Sequence, residues 1–196
     1  NVAKVEFQIY RVIPDQVNHI LSQMGSSVEN PYLDEMMKLQ VSEKFETSVK
    51  LNLKSEAETQ YFSLDIQPFL NKSSSQKGIF IVEAVAKNSP DDYNGPRDRR
   101  LIMVTDLGIL VKETVARNNE IYIQNFKTGS PVESAQVEII GRNGLSVLTG
   151  TTDHQGHVSF PDLKDFKNEK YPIAFSVKKG ADQSFLPYKA YSRNLQ

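Results

Sequence analysis

Apolar and polar residues alternate with a period of two along most of this chain. In KFETSVKLNL at 44–53, Phe45, Thr47, Val49, Leu51 and Leu53 share one side, and Lys44, Glu46, Ser48, Lys50 and Asn52 share the other. Successive side chains of an extended backbone point to opposite faces, so this segment reads as a strand with one face buried. The same alternation predicts strands at 5–12, 60–66, 78–86 and 100–106, then at 108–115, 120–126, 135–140, 145–151, 157–160, 171–177 and 184–188. Short strands at this spacing, split by turn residues, point to a sandwich or barrel rather than βαβ units. A helical period is confined to the first half. In DQVNHILSQM, Val17, Ile20, Leu21 and Met24 fall at i, i+3, i+4 and i+7 and make one apolar stripe. NPYLDEMMKL at 30–39 adds a second helix start, with Asn30 to cap, Pro31 at the first helical position, and Asp34 and Glu35 near the positive end of the dipole. Together they predict a helical connection laid over the side or end of a sandwich.

The punctuation between strands has its own logic. Asn143-Gly144 lies between two strand-like runs, where a type I′ turn needs positive φ at both positions. Asp153 to Gly156 suits a type I turn closed by a left-handed glycine, and Gly129 with Pro131 bends the chain between Phe126 and Val137. NKSSSQKG at 71–78 reads as a flexible hairpin tip, and KNSPDDYNGPRDRR at 87–100 as a polar loop. The junction is placed at Asp106-Leu107-Gly108, giving units 1–106 and 107–196. Each is predicted as a seven-strand type of antiparallel sandwich, the first with the helical insertion. With no Pro, Ser or Gly linker between them, the units should meet directly and swing little.

Composition narrows the function classes. A formal net charge of -1 gives no clustered basic surface with which to displace counterions, which argues against a nucleic-acid partner. No run reaches the roughly 18 apolar residues of a membrane helix, so no membrane contact by this chain is expected. Cysteine is absent, which removes disulfides, thiolate metal sites and a cysteine nucleophile. The chain starts at Asn1 with neither an initiator Met nor a signal segment, and reads as a piece of something longer.

Residues 101–163, LIMVTDLGILVKETVARNNEIYIQNFKTGSPVESAQVEIIGRNGLSVLTGTTDHQGHVSFPDL, and AFSVKKGADQSFLPY at 174–188 resemble the paired macroglobulin-like domains near the N-terminal part of bacterial α2-macroglobulins. The matching pattern is a VTDLG junction, a strand ending in a T-G-x-P turn, an A-x-V-x-I strand, a T-T-D-x-x-G hairpin and a closing K-x-G-x-D-x-x-F-L-P segment. The first half fits more loosely, with Phe80 in the aromatic place of a G-x-Y-x-V-E strand. The resemblance implies an exported, periplasmic or envelope-anchored protease trap, with a bait segment and often a Cys–Gln thioester. With no Cys, that thioester lies outside this chain. The implied role is a non-catalytic scaffold whose partners are neighbouring macroglobulin-like domains and, through the full-length protein, target proteases. The alternative is a surface adhesion or carbohydrate-binding module on an Ig-like or transthyretin-like sandwich.

Chemistry local to the chain is sparse, and neither a catalytic nor a cofactor-binding residue is assigned. His154 and His157 flank a turn beside Asp153, a set that suits zinc, but polar residues belong in a hairpin turn and that reading is preferred. His19 falls on the polar side of its helix. Asp91-Asp92 would suit calcium, yet Arg97, Arg99 and Arg100 nearby favour a self-neutralising loop. No G-x-S-x-G elbow and no phosphate-binding glycine loop occurs. Tyr10, Phe45, Phe62, Phe80, Phe126, Phe160 and Phe175 would make a sugar platform if exposed; most sit at strand spacing, so the inward ones are expected in the core.

Overall fold

Most of the alternating segments pair as antiparallel strands in a computed structural model that describes residues 2, 4–24, 31, 41–51, 59, 61–87, 89 and 95–188. In the first half, β1 (Lys4–Val12), β2 (Val41–Lys50), β3 (Gly78–Lys87) and β4 (Arg97–Val104) form one four-stranded sheet in the order β2-β1-β3-β4. One face carries Phe7, Ile9, Phe80 and Val82, with Phe45, Val49 and Ile102 beside them. Segment 64–70 closes this face with Leu64, Ile66, Phe69 and Leu70, ending in the short helix α2 (Gln67–Leu70). The strand expected at 60–66 is therefore corrected: described residues 61–66 make no ladder, and Asp65 accepts from the Gln67 N–H at 2.9 Å to start the helix. Its alternation is that of a cover whose apolar residues drop onto an existing sheet.

β4 begins three residues before the predicted start. Arg97 and Arg99 stand opposite Val85 and Glu83, and Arg99 Nη2 lies 2.7 Å from Glu83 Oε1. Cross-strand ion pairing lets arginines continue a strand that polarity alone reads as loop. The expected helix at 30–39 lies outside the described residues apart from Pro31, which is buried. The 71–78 tip is not loose, since Arg11 and Glu43 hydrogen-bond its serines.

The second half is a two-layer sandwich. One sheet has the order β11-β10-β7-β8, from β7 (Gln136–Gly141), β8 (Ser146–Thr151), β10 (Pro172–Lys179) and β11 (Asp182–Pro187). The other is β5-β6-β9, from β5 (Leu107–Glu113), β6 (Asn119–Asn125) and β9 (His157–Phe160). Ile121, Ile123, Val137, Ile139, Phe160, Phe175 and Val177 fill the space between them.

The two motif strings that punctuate this half knit together. Buried Thr152 donates its hydroxyl to the Val132 carbonyl at 2.7 Å and accepts from the Ala135 N–H at 2.9 Å. Its backbone bonds Ser134 and Ala135 as well. Gly156, at φ 72, sits where a Cβ would be 2.4 Å from the Ile123 carbonyl oxygen, so only glycine fits. At the β7–β8 hairpin the positive φ falls on Gly144 (φ 79) and not on Asn143, with the Gly144 N–H bonding Gly141 O at 2.9 Å. The expected type I′ turn is thus a longer loop in which one left-handed glycine follows an ordinary turn.

Candidate interunit interface

Helix α1 (Val17–Met24), entered through a 3₁₀ turn at Pro14–Gln16, is placed by its apolar stripe between the halves. Val17, Ile20, Leu21 and Met24 pack in one cluster with Tyr10, Val12, Ile79 and Ile81 of the first sheet and with Ile140, Ala174 and Phe185 of the sandwich. Each such side chain, once buried, contributes about 1.5–3 kcal/mol. The helix runs along the outer face of the β10–β7 sheet. Asn18 donates to Glu138 at 3.1 Å, and Asp15 lies 4.0 Å from Lys178. A Cβ on Gly144 would meet Ser22 Oγ at 3.1 Å and the Asn18 carbonyl at 3.2 Å, so the hairpin tip rests on the helix.

Polar groups seal the edge of this interface. Asp182, at the start of β11 and 7% exposed, directs both carboxylate oxygens at the first half. Lys77 Nζ donates to Oδ2 at 2.7 Å, the Asp106 N–H to Oδ2 at 3.0 Å, and the Thr105 hydroxyl to Oδ1 at 2.7 Å. Lys77 also lies 2.5 Å from Asp106, and Lys127 3.3 Å from it. Lys77, and more weakly Lys127, hold the Asp106 carboxyl below its ordinary value, while Asp106 and then Asp182 hold the Lys77 ammonium above its own.

Lys77 is delivered by the 71–77 loop. Arg11, 4% exposed, donates from Nη1 to Ser73 Oγ at 2.8 Å and to the Ser75 carbonyl at 2.9 Å, and from Nη2 to the Lys77 carbonyl. Glu43 accepts from the Ser73 hydroxyl at 2.5 Å, the Ser74 N–H at 3.2 Å and the Ser74 hydroxyl at 2.8 Å. Sequence reading missed Arg11, Glu43, Lys77 and Asp182. The one available signal was an arginine inside the apolar strand VEFQIYRV, which has to find partners when buried.

The residues singled out from sequence fall elsewhere. Asp153 accepts from the Gln155 and His157 N–H groups at 2.8 and 3.0 Å, as a turn-forming aspartate does. His157 Nε2 lies 2.5 Å from Glu120 Oε2, and its ring stacks on Tyr122. Among the described residues no group of three His, Cys, Asp or Glu side chains is arranged to hold a metal. His19 is exposed. Asp91 and Asp92 lie outside the described residues; Arg97 and Arg99 face Glu83, and Arg100 pairs with Asp98 at 2.8 Å. Tyr10, Phe80, Phe160 and Phe175 are buried, Phe45 packs into the same cluster as Phe80, and Phe62 and Phe126 are exposed.

The fold is that of macroglobulin-like β domains. A crystal structure of native alpha-2-macroglobulin from Escherichia coli spanning domains NIE-MG1 superimposes with a TM-score of 0.72, at 23% identity, over 96% of this chain and 85% of that one. Trypsin-activated alpha-2-macroglobulin from Escherichia coli matches with a TM-score of 0.59 at 19% identity, over 96% of this chain and 12% of that one. Residues 104–194 match the family model described as the bacterial alpha-2-macroglobulin MG3 domain. The alpha-2-macroglobulin homolog of Yersinia pestis is 33% identical across 100% of this chain and 10% of its own length. The chain belongs to the bacterial α2-macroglobulin family. It spans about a tenth of the length of the curated relatives it matches. No helix among the described residues is long and apolar enough to cross a membrane.

Proposed function

We propose that this chain is a non-catalytic scaffold segment of an exported, broad-spectrum α2-macroglobulin-like endopeptidase inhibitor, built as two units, 1–106 and 107–196. The observation that carries the reading is the shared core around α1, where side chains of the first sheet and of the β10–β7 sheet meet on one helix. Its relatives bear the α2-macroglobulin name, and one solved neighbour is a trypsin-activated form. The partners are the adjoining macroglobulin-like domains and, through the whole protein, the proteases it takes. Export to the periplasm or cell envelope belongs to the same reading.

The test uses the full-length parent and this chain side by side, against several endopeptidases acting on a large protein substrate and against a glycan array. Inhibition by the parent, with the isolated chain inert in both assays, is the expected result. Stoichiometric inhibition or peptide hydrolysis by the isolated chain, or saturable glycan binding, would overturn it.

A further inference from the structure

Asp182 is a residue of the second half whose carboxylate bonds are made to Lys77, Thr105 and the Asp106 N–H, all from the first. Its principal partner, Lys77, is the last residue before β3, and the loop that presents it is tied to buried Arg11 and to Glu43. The charged contact is therefore braced on the sheet rather than carried on a free side chain. Bracing the loop fixes where the Lys77 stem starts, so that only the side chain itself has to be ordered when the ion pair forms.

The apolar cluster around α1 can hold the two bodies together, but apolar contact is non-directional and permits sliding. Direction has to come from hydrogen bonds of fixed geometry, and the bonds at Asp182 supply it at the point where the chain passes between units. We propose that the Lys77–Asp182–Thr105 clamp, braced through loop 73–77 by Arg11 and Glu43, fixes the angle between the two units, so that residues 105–107 are no hinge and the segment moves as one body within its parent. This rests on the two-unit reading above.

The test exploits the lack of cysteine, since spin labels can be placed at two chosen sites only. Ser48→Cys on β2 with Thr149→Cys on β8 reports distance between the halves, and Lys112→Cys with Thr149→Cys reports distance across the sandwich. Both distances are read by pulsed electron–electron double resonance on the folded chain, with circular dichroism as the folding control. The clamp requires a narrow interhalf distribution in the parent background, and a broadened one with an added component in both Asp182→Ala and Lys77→Met, the across-sandwich distance staying narrow. Lys77 is partly exposed, so Lys77→Met keeps the fold testable if Asp182→Ala does not fold. A narrow interhalf distribution in Lys77→Met overturns the clamp. If both distances broaden together, Asp182 is holding the sandwich itself, and both the clamp and the division into two units fail.

Discussion

At the scale of the residue, burial and hydrogen bonding separate positions that look alike in the chain. Phe175 and Phe126 both lie in apolar alternation, yet the first is 4% exposed between the sheets and the second is 71% exposed beyond the end of β6. Phe175→Ala should lower unfolding free energy by about 3–5 kcal/mol, read from denaturant melts, because it leaves a cavity between two rigid sheets. Phe175→Ala melting as the parent does would show that the strand's inward face is misassigned. Ser176 next to it points to the opposite face of β10, is buried, and its hydroxyl has no hydrogen-bond partner. An unpaired buried hydroxyl opposes folding, so Ser176→Ala is expected to be neutral or stabilising by up to about 1–3 kcal/mol. A clear loss of stability would mean that the hydroxyl is bonded through a buried water.

At the scale of the element, α1 is the piece on which the arrangement turns. It is only eight residues long, too short to persist alone, so its helicity depends on the two surfaces it touches. Leu21→Ala should cost about 2–5 kcal/mol. Because its cluster draws on both sheets, amides of β3 and β10 should lose hydrogen-exchange protection together. Loss confined to β3 would mean that the helix belongs to the first half alone. The loop at 71–77 shows the same dependence on context. Its serines read as flexibility in sequence, whereas in the fold they are the acceptors and donors through which Arg11 and Glu43 hold Lys77 in place.

At the scale of the whole molecule, acid should loosen the fold and the interface together. Asp106, held low by Lys77 and Lys127, faces Asp182 across the same lysine. Glu6 is held low by Lys4 and Lys87, and Glu120 by Ser159 and His157. A carboxyl whose folded pKa is depressed stabilises the fold above its unfolded value and loses that contribution as pH falls through the folded one. The ordinary values here are 3.8 for Asp106 and 4.5 for the two glutamates, so thermal midpoints should drop as pH is lowered past this range. Lys77, raised by Asp106 and Asp182, contributes with the opposite sign: its share is complete below 10.5 and is lost as pH rises above it. A midpoint unchanged on acidification would contradict this pairing. What the sequence determined by itself was local: the antiparallel strands, the apolar stripe of α1, and the left-handed glycines at 144 and 156, each set by periodicity or steric freedom within a few residues. The tertiary structure alone decided that 61–66 is a cover and not a strand, that α1 packs against both the first sheet and the β10–β7 sheet, and that Lys77 meets Asp182 across 105 residues of chain. Those outcomes depend on which surfaces are left uncovered after the sheets form, and spacing along the chain carries no record of that.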